Sequence, residues 1–248
     1  MDCEEFSHIL DELESVTEYI YLHVMGEPLG HTRLADFIRM AKARGFKVAI
    51  TTNGTLLRTR AKILLNEMPY KVNISLHSFE NGSMEKLVEY INSCLDFSDA
   101  ASRAGILTVL RLWNRGFDLG KNIDVLDMLR KRFPCGEWIE GSRGFRIKDK
   151  LHLEWGDRFE WPDENRNSLG DEVFCHGMGD HFGILSDGTV IPCCLDADGI
   201  INLGNVFTEP LSDILSSERA VAIRRGFECK RAVEELCKKC PYARRFKI

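Results

Sequence analysis

The sequence predicts an α/β fold in which a parallel sheet with outer helices is followed by a small, cysteine-rich unit. Through the first two thirds of the 248 residues, short apolar strand patterns alternate with helical patterns. Such alternation with short joints is typical of a parallel sheet with right-handed crossovers. The pattern then becomes irregular, and six of the nine cysteines lie beyond residue 174.

The first strand is predicted at 19–24 and ends in the run Met25-Gly26-Glu27-Pro28. A helix capped by Thr32 follows and stops at Gly45. The remaining elements of the first part repeat this order. Strands are predicted at 47–52, 72–77, 106–113 and 145–153, and helices through 63–65, at 83–104 and at 122–133.

Glycines and polar side chains stand where the predicted strands end. They are Gly26 and Glu27, Asn53 and Gly54, Ser75 and His77, and Arg111 and Asn114. Ligands of parallel sheets bind at the carboxyl ends of the strands. The sequence therefore predicts a binding site at this edge of the sheet.

The second part begins after a polar, irregular joint at 154–174. Asp187 and Gly188 stand between two apolar runs and predict a hairpin turn, because both residue types tolerate positive φ. The hairpin presents Cys193 at its far end. A helix is predicted at 211–225, with Pro210 near its start, and a second short helix leads into Cys237.

Four cysteines of this part have the spacing of a metal or iron–sulfur site. Cys175 and Cys193 form a C-x17-C pair, and Cys237 and Cys240 close the set as C-x-x-C. Four thiolates suit an iron–sulfur cluster, and they also suit structural zinc. Adjacent residues in extended chain point to opposite sides, so we expect Cys194 to pack elsewhere. Cys229 is a spare ligand.

Composition limits the function classes. Nine cysteines without a secretion signal favour cytoplasmic thiolates held by metal over disulfides. No apolar run approaches the ~20 residues of a membrane span. The net charge of −5 does not favour nucleic acid as a partner. Residues 224–248 contain nine Lys or Arg and three Glu. We interpret this basic segment as a solvated surface, as charge compensation for an anionic cluster, or as a nucleic-acid-binding patch.

Two runs of the first part and the cysteine spacing of the second carry a family resemblance. Residues 22–29 (LHVMGEPL) and 51–57 (TTNGTLL) resemble the partial (β/α) barrel of radical S-adenosylmethionine enzymes. The cysteine-rich part resembles their SPASM/twitch domain. The resemblance implies a barrel at 1–153, a linker at 154–174 and an auxiliary-cluster domain at 175–248.

The resemblance also implies roles for the strand-end residues. Gly26, Glu27 and Pro28 would meet the amino group of S-adenosylmethionine, Ser75 its ribose and Arg111 its carboxylate. Each of these roles has a structural alternative. Gly26, Glu27 and Pro28 would form a helix-entry turn, Ser75 would carry a hydroxyl satisfied at a strand end, and Arg111 would form a salt bridge. Asn53 is expected to be mainly structural and His77 a hydrogen-bonded core residue. The four cysteines would hold an auxiliary [4Fe–4S] cluster.

One motif of the family is absent from this sequence. The family's catalytic cluster is held by C-x-x-x-C-x-x-C after the first strand, and no such spacing occurs here. We therefore expect Met1 to be internal to a longer protein, or the protein to be a shortened and inactive relative. If the loop is supplied, the resemblance implies radical hydrogen abstraction from a peptide or small molecule, with a flavodoxin- or ferredoxin-like reductant. The alternatives are a non-catalytic cluster-binding relative and a zinc-stabilised structural protein.

Overall fold

The computed structural model describes residues 1–79, 83–117, 120–134, 136 and 138–246. The chain divides into two compact units. The sheet unit is Thr17–Arg158, and the cysteine unit combines Met1–Val16 with Phe159–Ile248. This division differs from the predicted 1–153, 154–174 and 175–248, because the first helix belongs with the end of the chain.

The sheet unit contains a seven-stranded sheet in the order β1-β2-β3-β4-β7-β6-β5. The strands are β1 (Tyr19–Leu22), β2 (Lys47–Thr52), β3 (Lys71–Ser75), β4 (Leu107–Arg115), β5 (Ile139–Gly141), β6 (Gly144–Lys148) and β7 (Leu151–Asp157). The first five in spatial order, β1 to β4 and β7, are parallel, whereas β5 and β6 are antiparallel. The predicted α/β fold with a parallel sheet is confirmed.

Helices follow the strands in the predicted alternation. The α-helices of the chain are α1 (Cys3–Leu13), α2 (Leu34–Ala43), α3 (Leu57–Glu67), α4 (Met84–Arg103), α5 (Lys121–Arg132), α6 (Leu211–Ser216), α7 (Glu218–Glu228) and α8 (Glu235–Lys238). Short 3-10 helices occur at Pro28–Gly30, Leu76–Phe79 and Tyr242–Arg245. Among the described residues, no helix combines the length and apolarity needed to cross a membrane.

Side-chain alternation along the strands builds the core of the sheet unit. In β3, Val72 and Ile74 are fully buried on one face, whereas Lys71 and Ser75 on the opposite face are half-buried. Successive side chains of a strand point to opposite faces, so the apolar set of each strand lies on one side. Three apolar residues of the helices are also fully buried, namely Ile38, Leu64 and Ile91. Their burial accounts for the position of the helices on the outside of the sheet.

One predicted strand is a hairpin. The segment predicted as a strand at 145–153 folds as β6 and β7, which pair antiparallel around Asp149 and Lys150. Lys150 has φ +59°, so the chain reverses there without a glycine. The expectation of one strand was wrong because nothing in the residue types marks this turn.

Asp99 of α4 is the acceptor of three cations in the sheet unit. Lys148 Nζ lies 2.5 Å from its carboxylate, Arg103 Nη2 3.0 Å and Arg132 Nη2 3.2 Å. The hydrogen bond from Lys148 is the main cause that holds the pKa of Asp99 below its usual range. The carboxylate therefore joins α4 to α5 and β6.

We expect Asp99→Asn to lower the free energy of unfolding at neutral pH by about 2 kcal/mol, since a buried charge-assisted network loses its anion. The pKa of Asp99 is lower in the folded protein than its unfolded value of 3.8. Asp99 therefore stabilises the fold fully at pH values above 3.8, and this contribution is lost as the pH falls through the pKa of the folded protein. The two proteins should therefore converge in acid when urea unfolding is followed against pH. Asp127→Asn, at an exposed pair with Arg130, is the control. An equal loss in both variants would contradict this role.

Helix α1 begins with a capping box and packs into the cysteine unit. The Asp2 carboxylate accepts from the backbone of Glu5, whose own carboxylate accepts from the backbone N–H of Asp2. One face of the helix is buried, and it consists of Phe6, Ile9, Leu10 and Leu13. This face accounts for the burial of a helix that is otherwise acidic.

Two polar contacts tie α1 to chain almost 200 residues away. His8 Nε2 lies 2.8 Å from the carbonyl oxygen of Val206. The Glu12 carboxylate accepts from the backbone N–H of Leu211 at 2.7 Å, at the first residue of α6. Glu12 thus satisfies one of the backbone donors that a helix leaves open at its start.

The predicted hairpin of the cysteine unit is present as β8 (Gly183–Ile184) and β9 (Val190–Ile191). Its turn is fixed by Gly188, whose N–H donates to the Leu185 carbonyl at 3.0 Å. Asn205 closes the turn from outside by donating to the carbonyl oxygen of Asp187 at 2.8 Å. The turn directs the chain toward Cys193.

The helix predicted at 211–225 is two helices, α6 and α7. They are separated by Ser217, which is extended (φ −57°, ψ 153°) and accepts from the backbone N–H of Ala220 through its hydroxyl. Serine is a strong N-cap, so a new helix begins where an uninterrupted pattern predicts continuation. The short helix expected before the C-x-x-C pair is α8, and it carries Cys237.

Candidate functional site

The predicted strand-end residues lie at one edge of the sheet. Glu27 follows β1, Asn53 follows β2, Ser75 ends β3, and Arg111 lies on β4 directly across from Ser75. Parallel pairing in register brings these positions together. The sheet unit therefore places polar side chains at the carboxyl ends of β1, β2 and β3, with Arg111 of β4 beside Ser75.

The Glu27 carboxylate joins the ends of β1 and β2. It accepts from Thr52 Oγ1 at 2.6 Å, from the Asn53 N–H at 2.7 Å and from the Leu29 N–H at 3.0 Å. A carboxylate has about four acceptor positions, and three are used. One position remains for a further donor, such as an ammonium. A Cβ added at Gly26, the residue before Glu27, would meet nothing within 4 Å.

The same run begins a short helix. Glu27 is the N-cap of the 3-10 helix that starts with Pro28, a residue suited to the first position because it lacks an N–H. The structural alternative for Gly26, Glu27 and Pro28, a helix-entry turn, is thus present in the structure. Because an acceptor position remains on the carboxylate, this capping role leaves room for a ligand donor.

Arg111 pairs with Glu154, as expected if its role is a structural salt bridge. Its Nε lies 3.6 Å from a Glu154 carboxylate oxygen, and its guanidinium stacks over Trp113 at 4.7 Å from the ring centroid. His77 Nδ1 accepts from the Trp113 N–H at 3.3 Å, in the manner expected of a core histidine. These contacts fix the orientation of Arg111, which lies in the middle of β4.

Tyr90 of α4 supports this edge, and sequence reasoning missed it. Its hydroxyl lies 2.7 Å from the Asn53 carbonyl oxygen and 3.0 Å from the Ser75 carbonyl oxygen, so it joins the ends of β2 and β3. Burial raises the pKa of this hydroxyl, which keeps it a donor. A tyrosine in a helical apolar pattern is interpreted as a core residue. No local sequence signal indicates that its hydroxyl contacts two strand ends.

The four predicted cysteine ligands all belong to the cysteine unit. Burial is the main cause that raises the pKa of Cys237, and repulsion from Cys193, Cys175 and Cys240 raises it further. A bound metal centre would reverse this effect, because a cation favours the thiolate.

Backbone N–H groups point at three of the four sulfurs. The Gly177 N–H donates to Cys175 Sγ at 3.4 Å. Burial is the main cause that raises the pKa of Cys193 and of Cys240. The backbone N–H of Leu195 lowers the pKa of Cys193, and the backbone N–H of Ala243 lowers the pKa of Cys240. Burial raises the pKa of Cys193 to about 12. Such N–H donors stabilise cluster thiolates, so this donor set fits an iron–sulfur centre.

In the part of the chain that the structure describes, no three or more Cys, His, Asp or Glu side chains are arranged so that they could hold a metal ion. A Cβ at Gly177 would lie 3.2 Å from the Pro192 carbonyl oxygen and 3.7 Å from Cys175 Sγ, so this glycine allows a close approach of the chain segments that carry Cys175 and Cys193. Four thiolates suit an iron–sulfur cluster and structural zinc alike.

The two spare cysteines behave differently. Cys194 raises the pKa of both Cys193 and Cys175, although burial is the main cause in both, and its packing away from the ligands stays a prediction. Cys229 is exposed at the end of α7. The exposed thiol provides a natural control for tests of the cluster ligands.

Two family models match the chain. The model described as the radical SAM superfamily matches residues 1–138. The model SPASM, described as an iron–sulfur cluster-binding domain, matches residues 175–241. The second match contains all four predicted ligands.

Curated relatives match shorter stretches. A tungsten-containing aldehyde ferredoxin oxidoreductase cofactor-modifying protein of Pyrococcus furiosus is 48% identical over 59 residues, 23% of this chain and 17% of that protein. A GTP 3',8-cyclase of Aquifex aeolicus is 29% identical over 123 residues, 49% of this chain and 35% of that protein. The chain spans well under two thirds of each of these relatives.

Solved structures share the fold at low sequence identity. The crystal structure of BtrN in complex with AdoMet and 2-DOIA has a TM-score of 0.58 at 20% identity and covers 97% of this chain and 80% of that one. Native anSMEcpe with bound AdoMet has a TM-score of 0.52 at 12% identity and covers 98% of this chain and 78% of that one.

Proposed function

Because the chain belongs to the radical SAM superfamily and carries a SPASM iron–sulfur domain, we propose that it serves radical hydrogen abstraction from a peptide or small-molecule substrate. The cofactors of this family are iron–sulfur clusters and S-adenosylmethionine. Bound together, they supply the 5′-deoxyadenosyl radical that abstracts the hydrogen atom. That chemistry requires a C-x-x-x-C-x-x-C loop, which these 248 residues do not contain.

The strand-end edge is the proposed S-adenosylmethionine site. The observation that carries this assignment is the Glu27 carboxylate, which is held by three hydrogen bonds and keeps one acceptor position for a further donor. A charged ammonium forms a stronger hydrogen bond with a carboxylate than a neutral donor does. Ser75 and Arg111 stand two and three strands away on the same edge, where they would contact the ribose and the carboxylate.

The cysteine unit is the proposed auxiliary-cluster domain. Cys175, Cys193, Cys237 and Cys240 would ligate the irons, and backbone N–H groups would stabilise their thiolates. A cluster with four thiolate ligands suits electron transfer or structure. A flavodoxin- or ferredoxin-like protein is the proposed reductant, because reductive chemistry needs an electron source.

The deciding experiment is an anaerobic iron and sulfide determination with electron paramagnetic resonance. It compares this chain with a version that carries a C-x-x-x-C-x-x-C loop ahead of residue 1. We expect one cluster in the chain, two in the extended version, and reductive cleavage of S-adenosylmethionine by the extended version only. One cluster in both, without cleavage, would identify a non-catalytic relative. A colourless protein with one zinc would identify a structural protein.

Ser75→Ala tests the cofactor site separately. We expect the affinity for S-adenosylmethionine to fall about fivefold, since one hydrogen bond of about 1 kcal/mol is lost. The melting temperature should stay unchanged, because the contact of Ser75 with Tyr90 uses its carbonyl oxygen. Ser78→Ala, at an exposed position three residues on, is the control. Unchanged affinity in Ser75→Ala, measured by calorimetry, would remove Ser75 from the site.

A further inference from the structure

The face of β3 that is turned away from its buried apolar residues carries a row of polar side chains. Lys71, Asn73 and Ser75 alternate with the buried Val72 and Ile74. Registered pairing extends this row across the sheet. Asn73 lies beside Thr51 and Val109, with His152 beyond on β7, and Ser75 lies beside Arg111, with Glu154 beyond.

Asn73 holds an unsatisfied acceptor on this face. The residue is 1% exposed, and its amide Nδ2 donates to Thr51 Oγ1 at 3.2 Å. Its Oδ1 is buried and accepts no hydrogen bond from any described residue. A buried polar atom without a partner is destabilising, so such atoms call for a ligand or another specific reason.

Lys71, two residues earlier on the same face, contributes an ammonium. Its side chain is half-buried, and within the described residues its ammonium makes no hydrogen bond or ion pair. Burial lowers the pKa of Lys71, and the nearby Arg111 and Arg143 lower it further. The one nearby acid that opposes them, Glu154, already pairs with Arg111.

Lys47 of the neighbouring strand β2 differs from Lys71 in the contacts of its ammonium. Lys47 is the first residue of β2, as Lys71 is of β3. Its ammonium bonds the Glu18 carboxylate and the Tyr19 hydroxyl, each at 3.1 Å, on the exposed surface. Lys47 is therefore satisfied within the protein, whereas Lys71 offers its donors to a ligand.

We propose that this face binds a small polar anion, with a phosphate or carboxylate group on Lys71 and a hydroxyl or amine of the same molecule donating to Asn73 Oδ1. The local excess of cations, Lys71, Arg111 and Arg143 against Glu154, favours the anion. Naming this ligand as the substrate rests on the proposed function. The binding itself requires neither a cluster nor S-adenosylmethionine.

The test is calorimetric titration of the full chain with glycerol 3-phosphate, glycerate, inorganic phosphate and glycerol. Glycerol 3-phosphate and glycerate distinguish phosphate from carboxylate, and glycerol is the neutral control. We expect binding of at least one anion, weakened about tenfold or more in Lys71→Met, since a charge-assisted bond is lost. Lys47→Met should bind as the unaltered chain does. No binding by the unaltered chain, or equal weakening in both variants, would overturn the proposal.

Asn73→Leu separates ligand binding from a structural role. We expect this variant to lose affinity for glycerol 3-phosphate or glycerate severalfold and to bind inorganic phosphate unchanged. Its melting temperature should not fall, because the substitution removes an unsatisfied buried acceptor. A lower melting temperature with unchanged affinities would show that Asn73 is structural and would overturn its assignment. Loss of cluster loading would leave these titrations readable, so the two proposals fail separately.

Discussion

Replacing Cys237 with alanine is expected to abolish the iron–sulfur cluster. Cys237 is one of four predicted ligands in the cysteine unit, and a cluster of this kind needs thiolates on its irons. Anaerobically prepared protein should contain about four irons and be brown, and the variant should be nearly iron-free and colourless. Iron and sulfide content, with the visible spectrum, measures the change.

The control is Cys229→Ala. Its thiol is exposed at the end of α7, so removing it should leave the iron content and the spectrum unchanged. Circular dichroism of both variants distinguishes cluster loss from general unfolding. Retention of iron by Cys237→Ala, or its loss in Cys229→Ala, would show that the ligand set is assigned wrongly.

Gly54→Ala is expected to lower the free energy of unfolding by about 3 kcal/mol. Gly54 has φ +78°, which costs about 1–2 kcal/mol in other residues. A methyl there would also lie 2.8 Å from Cys94 Sγ, 3.1 Å from Tyr90 Oη and 3.2 Å from Ile74 Cγ2. Overpacking of a filled core adds about 1–3 kcal/mol. Urea unfolding measures the loss.

The matched control is Gly45→Ala. Gly45 has φ +87°, but a methyl there would meet nothing within 4 Å. This variant therefore incurs the backbone cost alone, about 1–2 kcal/mol. The difference between the two variants isolates the packing around Tyr90, which holds the ends of β2 and β3. Equal losses would show that this packing contributes nothing to stability.

The order of strands and helices was predictable because it depends on local patterns. Runs such as 47–52 combine β-branched residues with a glycine turn, and both signals act within a few residues. The strand ends were predictable for the same reason. Parallel strands must place Glu27, Asn53 and Ser75 at one edge whatever the details of packing.

The features that escaped prediction depend on contacts between distant residues or on exceptions to residue preference. Tyr90 supports two strand ends through its hydroxyl, and a helical pattern records its apolar ring only. Lys150 turns the chain in a conformation that lysine rarely adopts. Ser217 divides a continuous amphipathic pattern by capping a second helix. In each case tertiary structure overrides a local preference.

The union of α1 with the end of the chain sets the order in which these two units can fold during synthesis. The sheet unit is a continuous segment, so all its contacts exist once residue 158 has left the ribosome. Helix α1, made before the sheet unit, must wait for Val206 and Leu211 before His8 and Glu12 find their partners. Contacts of such long sequence separation form slowly. This helix therefore cannot make these two contacts until the whole sheet unit has been made.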